Sequence, residues 1–562
     1  MTDADDQVPG PDATPAPSAP GTEVVAPAGA RPVDGAGRPS RPQAAVAGAL
    51  AAAVALAVAT FVGALAAPGP SLGTSVGTGL IDSVAGPVKE PAVALFGDKD
   101  KAALLTGIVL ISLGIGAVLG LAARRRPWIA VAGFVAFGAG CIATGLTDPL
   151  ATPGAVVVAT LFAVPAGLAA LFGLFSVAAT GSAVAAAGPA VRGTAVVTEW
   201  PTQRAATRRA FITWSGGAGV FALAAAAGGR SLASRSVAES ERQLVALPQA
   251  SGGTAATVAV SADNPFGVAG LSPYVTPNDS FYRIDTALVS PQVDPKDWSL
   301  TIDGMVDNPF TLTFDELLAL PMVEETVTLS CVSNEVGGNL VGNAVWLGYP
   351  LADLLERAGV QPGATQIVGT SVDGWEAGFP TADALDGRVA LVAVGMNGEP
   401  LPIAHGFPAR LVVEGLYGYV SATKWLTKIT LTTWEAFDGY WIDKGWSKEG
   451  PIKTQSRIDV PRNRAELAAG QVAVAGVAWA PDRGIAKVEV QVDDGPWQEA
   501  QLGEVASDAT WRQWYLPWDA TPGEHVLRVR ATDGTGQTQT EELAEPAPDG
   551  ATGWHTRRVV VT

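Results

Sequence analysis

The chain has 562 residues, of which 48% are hydrophobic and only 16% charged, and a formal net charge of −18. That length calls for several folded units, and the low charge content points to membrane segments rather than an ordinary soluble enzyme. The acidic balance leaves no basic footprint, which excludes nucleic acid as a partner. The chain has two cysteines, Cys141 and Cys331, and three histidines, His405, His525 and His555. No disulfide framework, paired-cysteine metal ribbon or covalently attached haem can be built from them. No histidine lies in the apolar region, so a bis-histidine haem within the membrane is excluded too.

Residues 1–42 are rich in Pro, Ala and Gly and carry few large apolar side chains. They are expected to form a disordered cytoplasmic tail. Within 43–180, four apolar runs (44–67, 104–123, 128–146 and 155–178) are each long enough to cross a bilayer as a helix. Arg31, Arg38 and Arg41 precede the first run. Arg124, Arg125 and Arg126 lie between the second and third, and Arg192, Arg204, Arg208 and Arg209 follow the fourth. All fall on one side if the N-terminus is cytoplasmic. The 68–101 loop, with Asp82, Lys89, Glu90 and Asp98, then lies on the other side. The spans are nearly free of ionisable residues, which argues against ion transport.

Residues 181–228 read as a cytoplasmic loop and a fifth, shorter apolar run, 211–227. Its flank, Thr207-Arg208-Arg209-Ala210-Phe211-Ile212, resembles a twin-arginine export signal, or is a plain positive-inside flank. Either reading makes the chain a multi-pass cell-membrane protein with everything after residue 228 extracytoplasmic. Residues 229–262 are Ser-, Ala- and Gly-rich and read as a linker. From 263 to 460, strands at 298–302, 325–329, 388–394 and 410–413 alternate with helices at 314–320 and 350–358, an α+β pattern. From 461 to 562, short strands at 472–477, 487–492, 510–516, 525–531 and 555–561 are separated by turns such as Asp494-Gly495 and Asp533-Gly534, as in an immunoglobulin-like sandwich. The expected fold is multi-domain: all-α transmembrane helices, an α+β unit, then an all-β immunoglobulin-like sandwich.

Two clusters carry chemistry. In Leu329-Ser330-Cys331-Val332-Ser333-Asn334 a strand ends on a lone cysteine before a Gly-rich loop. Such a cysteine can be a metal ligand, a nucleophile with His405 as its base, or a buried structural thiol. In the second cluster His405, Arg410, Ser421, Thr423 and Lys424 gather among tight glycine turns. Cations, hydroxyls and accessible backbone N–H groups together suit an anionic ligand with a phosphate.

The combination resembles the sulfite oxidase family of molybdopterin enzymes. The similarity covers residues 276–562, about half the chain. Thr276-Pro277-Asn278 with Phe281-Tyr282, Leu329-Ser330-Cys331 with Asn334, and Met396-Asn397-Gly398 followed by Pro400-Leu401-Pro402 match family motifs. So do His405-Gly406-Phe407-Pro408, Arg410 and Lys424-Trp425-Leu426. Pro451-Ile452-Lys453-Thr454-Gln455-Ser456 is similar to the exit from the family's first domain. The resemblance implies a molybdenum ion on a pterin dithiolene, with Cys331 as its thiolate ligand. Asn278, Phe281, Tyr282, Asn334, Asp373, His405, Arg410, Ser421, Thr423 and Lys424 would hold the cofactor. Tyr282 and Trp375 would stand with Cys331 at the reacting centre.

The sequence departs from the family where sulfite would bind. Val345 stands where an arginine is expected, Trp375 where a tyrosine is expected, and Arg283 is offset by about one position. A pocket short of buried cations binds a small anion poorly. The expected activity is therefore two-electron oxygen-atom transfer on a small substrate other than sulfite. Electrons would be exchanged with a separate carrier, a cytochrome or a quinone system, since no haem domain is present. Alternatives are a sulfite dehydrogenase, a Cys–His hydrolase, or a membrane-anchored binding protein that keeps only the fold. In the resemblance the sandwich also mediates dimers, so a homodimer is possible.

Overall fold

A computed structural model describes residues 38–67, 100–186, 200–233, 237–253 and 264–562. Residues 1–37 of the expected tail (1–42), residues 68–99 of the expected 68–101 loop, and Arg192 lie outside the described residues; residues 41 and 42 of the expected tail already belong to the first helix.

Five helices come first: α1 (Arg41–Ala66), α2 (Asp100–Ala123), α3 (Pro127–Thr147), α4 (Pro153–Ala186) and α5 (Trp200–Ala233). All five are long and apolar enough to cross a membrane. α1 starts at a capping box, in which the Ser40 hydroxyl accepts from Gln43 N and the Gln43 side chain accepts from Ser40 N. These bonds satisfy backbone donors that the first helical turn leaves free. α1 packs against α2, α4 and α5. Its contact with α2 is made by glycines: a methyl at Gly48 would overlap the Gly116 carbonyl, and one at Gly120 the Ala44 carbonyl. Small residues let two backbones approach where no hydrophobic driving force separates helix from lipid.

The stretch expected to be a linker contains a short helix, α6 (Val237–Leu244). Val245, Leu247 and Ala250 after it pack on the core of the following unit. Its Ser- and Ala-rich composition conceals these anchors, because three residues at spacings of two and three sustain neither a strand period nor a helix face.

The next unit contains two sheets, the first mixed, with β1 and β10 parallel, and the second antiparallel throughout. One has the order β2-β1-β10-β5-β6, from β1 (Ser299–Gly304), β2 (Phe310–Thr313), β5 (Gln366–Ser371), β6 (Glu376–Pro380) and β10 (Leu426–Thr432). The other has β3 (Val323–Ser330), β4 (Val341–Pro350), β7 (Ala390–Met396) and β8 (Glu399–Pro400) in that order, with β9 (Arg410–Val413) also paired to β7. β7 is buried along its whole length. It therefore reads as a continuous apolar run rather than an alternating one. The helices α7 (Phe314–Leu318) and α8 (Leu351–Ala358) cover the core. Thr313 and Glu316 form a capping box at the start of α7, and Gly359, at φ 68°, ends α8. Leu300, Ile302, Leu317, Leu354, Ile367, Val392, Leu411 and Ile429 make the main core.

The last unit has two sheets over one core. β11 (Gln455–Val460), β13 (Gly470–Trp479), β17 (Arg512–Ala520) and β16 (Gln501–Leu502) form one. β12 (Glu466–Leu467), β19 (His555–Val561), β18 (Gly523–Asp533), β14 (Ile485–Val492) and β15 (Trp497–Glu499) form the other. Val474, Trp514, Val488, Leu527 and Val559 meet between them. The inward alternation along β17 and β18 is what the sequence pattern requires.

Candidate active site

β3 runs into Cys331, which is 7% exposed. The loop that follows is closed on itself. Cys331 N donates to Leu340 O at 2.9 Å, and Leu340 N donates to the Asn334 side-chain oxygen at 2.8 Å. Asn334 thus shapes the Cys331 loop from within and does not face the cavity. Arg457, from β11, donates to Gly338 O at 2.8 Å and pins the loop from the other side.

Cys331 opens on a pocket that brings together most of the expected site residues. Phe281, Tyr282, Asp373 and Trp375 line it, and so do His405, Arg410 and Lys424. Asn278 lines an adjoining wider cleft of about 920 Å³, which shares Phe281 and His405 with the first. Asn278 is held by Asn397, which donates to its side-chain oxygen at 2.8 Å, and its main-chain carbonyl lies 3.1 Å from His405 Nε2. Phe281 stacks on Tyr282 and meets the rings of Trp346 and His405 edge-on. Ser421 and Thr423 are fully buried and spend their hydroxyls on Tyr417 O (3.2 Å) and Gly369 O (3.4 Å). They brace the segment that presents Lys424 rather than line the pocket. Val345 sits in β4, its N–H donating to Asn397. Arg283 turns to Asp285 at 2.8 Å and lines the wider cleft, not the Cys331 pocket.

Residues that no sequence motif marks line the pocket too, among them Asp285, Tyr419 and Trp441. Asp285 is the most consequential. Its carboxylate is 6% exposed and receives Lys424 at 2.6 Å, Lys101 at 2.7 Å and Arg283 at 2.8 Å. It lies two positions from Arg283, but Lys424 is 139 positions away and Lys101 184. No local pattern signals such a pair.

The electrostatics favour an anion. Arg410 is buried and bonds only to carbonyls, those of His405 (3.1 Å), Leu411 (3.3 Å) and Ala422 (3.4 Å). Burial pushes its guanidinium down to about 10. Burial likewise lowers Lys424 to about 8, against the pull of Asp285. Burial opposes the charge on Asp285, but Lys424, Arg283 and Lys101 outweigh it and hold the carboxyl well below its ordinary range. His405 is pushed down to about 4 by burial and then by Arg410, so it is neutral near pH 7. Burial raises the Cys331 thiol, opposed by hydrogen bonds at Ser333 and by Lys424. A buried thiol with a raised pKa is a poor free nucleophile, but a metal ion deprotonates a coordinating thiol outright.

A model of the oxidoreductase molybdopterin-binding domain matches residues 287–441. Sulfite oxidase of Arabidopsis thaliana is 31% identical over 335 residues, covering 49% of this chain and 84% of its own length. An uncharacterized oxidoreductase of Bacillus subtilis is 36% identical over 171 residues, 30% of this chain and 83% of its own. Human mitochondrial sulfite oxidase is 30% identical over 320 residues, 48% of this chain. The chain spans only 58% of the length of that mitochondrial enzyme. The fold and the motif-bearing pocket thus define a molybdopterin-binding oxidoreductase unit. Within that class, the chain belongs to the sulfite oxidase family.

Proposed function

We propose that this chain is a membrane-anchored molybdopterin oxidoreductase whose catalytic unit faces away from the cytoplasm. It would carry out two-electron oxygen-atom transfer on a small substrate other than sulfite. In the reductive direction an oxygen atom leaves an oxidised substrate as water, with two electrons and two protons consumed. The electrons come from a separate carrier, a cytochrome or a membrane quinone. The observation that carries the reading is Cys331 opening on the same pocket as Arg410, a buried cation that lacks a carboxylate partner among its hydrogen bonds. A thiolate ligand and an unmatched guanidinium are what a metal-bearing, phosphate-bearing cofactor requires. The residues present therefore fit the group.

In this reading Cys331 ligates molybdenum, and Arg410, Lys424, His405 and Asn278 hold the pterin and its phosphate. Asp373 and Phe281 shape the same cavity, and Asn334, Ser421 and Thr423 act by bracing those residues. Tyr282 and Trp375 border the reacting centre. The bound cofactor supplies the two-electron change; the chain supplies binding, orientation and exclusion of water. The aromatic wall of Tyr282, Trp375 and Trp441, with position 345 a valine, supports a substrate less anionic than sulfite. The division into a tail (1–42), spans (43–180), a twin-arginine-like segment (181–228), a linker (229–262), a catalytic unit (263–460) and an immunoglobulin-like, dimer-forming sandwich (461–562) belongs to the same proposal.

The test is metal and pterin analysis of the full chain from a host that makes molybdopterin, as wild type and Cys331→Ser. We expect about one molybdenum per wild-type chain and loss of activity in the variant. Activity is measured with dimethyl sulfoxide and reduced benzyl viologen, and with sulfite and ferricyanide. A wild type without molybdenum overturns the enzyme reading, and an active, molybdenum-loaded Cys331→Ser overturns the ligand. Rapid turnover of micromolar sulfite overturns the substrate class.

A further inference from the structure

The membrane bundle touches two of the segments that line the Cys331 pocket. Lys101, in the first turn of α2, donates to the Asp285 carboxylate at 2.7 Å and to the Ala287 carbonyl at 2.7 Å. Pro149, between α3 and α4, lies 3.1 Å from where a Cβ on Gly374 would stand. Gly374 separates Asp373 from Trp375, and Asp285, Asp373 and Trp375 all line the pocket. The start of α2 and the end of α3 lie at the same end of the bundle, opposite Arg124–Arg126. Two contacts, on two separate loops, therefore join one end of the bundle to one pocket.

An anchor needs neither contact, since a single span tethers a domain. The Lys101 contact also falls on a residue that organises the site. Asp285 shares its buried carboxylate among Lys101, Arg283 and Lys424. In a buried network of this kind, removing one partner disturbs the others. Here the disturbance would reach Lys424.

We propose that the membrane bundle buttresses the wall of the candidate active site from outside, and that Lys101 is a positioning residue that fixes the Asp285–Lys424 pair from the membrane side. This rests on reading the pocket as the cofactor and substrate site. The helices then shape the pocket as well as tethering it.

The test uses the full chain in lipid nanodiscs, as wild type, Lys101→Met and Lys101→Arg. Hydrogen exchange across residues 281–287 should quicken by about ten-fold in Lys101→Met and return to the wild-type rate in Lys101→Arg. In whichever of the sulfoxide and sulfite assays gives turnover, Lys101→Met should raise KM about five-fold with kcat nearly unchanged, and Lys101→Arg should restore it. Equal exchange in Lys101→Met and wild type overturns the proposal. If Lys101→Met does not fold, the double variant Lys101→Cys, Ala287→Cys takes its place. A short bis-maleimide should cross-link it in membranes, and no cross-link where each single variant labels also overturns the proposal. Exchange and cross-linking require no molybdenum, so their failure is distinct from failure of the proposed function.

Discussion

Arg410 carries a cost that its protein neighbours do not offset. Its guanidinium meets three carbonyl oxygens and lies 5.0 Å from the Trp346 ring centroid, and none of the ion pairs among the described residues involves it. A buried cation of this kind is stabilised by an anion that arrives with the ligand. Arg410→Met should therefore leave the cofactor-free chain at least as stable as wild type, while copurified molybdenum falls by about ten-fold or more. Thermal unfolding of the cofactor-free protein and metal analysis of the loaded one check the two halves. A less stable apo-protein with full molybdenum would show that Arg410 is structural. Arg410 and His405 were legible in the sequence because they share one short motif. The environment of Lys424 was not, because its partner Asp285 comes from a distant segment with no motif of its own. The expected phosphate-binding lysine is, in this structure, half of an ion pair.

Among the elements, the Cys331 loop shows how far sequence patterning reaches. The strand before it, the lone cysteine and the glycines after it were all readable. What holds the loop was not, since part of its support comes from the last unit. Gly337, at φ 76°, has no room for a side chain because the His555 ring of β19 lies where its Cβ would be. Arg457 of β11 holds the neighbouring Gly338 carbonyl. Gly337→Ala must therefore adopt a disfavoured backbone conformation and also displace His555. We expect a loss of about 2 kcal/mol or more in stability, together with a lower molybdenum content. Gly363→Ala, at φ 95° in an open turn, carries the backbone penalty without the clash. Equal melting temperatures for the two variants would remove the His555 contact from the explanation. The strands of the last unit were legible from their alternation, whereas the role of that unit in supporting a catalytic loop arises only once the fold is assembled.

Across the whole molecule, the catalytic unit and the two-sheet unit share a core and polar seams. Tyr274, Val332 and Tyr417 pack with Val477, Trp479 and Trp511. Trp511 N donates to the Thr328 hydroxyl at 2.7 Å, one strand position from Leu329 and three from Cys331. His555 sits at this junction. Its Nδ1 accepts from Ile458 N at 2.9 Å, which requires an unprotonated nitrogen. Burial, then Arg557 and Arg457, lowers it to about 3, compared with about 6.5 for an unfolded histidine. Because the folded value is the lower one, the unfolded chain takes up the proton first as pH falls. The contribution of His555 is therefore complete above about pH 6.5 and is lost progressively as pH drops toward 3. His405 is pushed down to about 4 as well, so the contribution of His555 is read from a variant. His555→Asn keeps an acceptor near the Nδ1 position and removes the titration. Its melting temperature should lie below that of wild type at pH 7, and the gap should narrow as the pH is taken to 4. A gap that stays constant over that range would mean that His555 contributes shape alone, and that the union of the two units does not respond to acid through this residue.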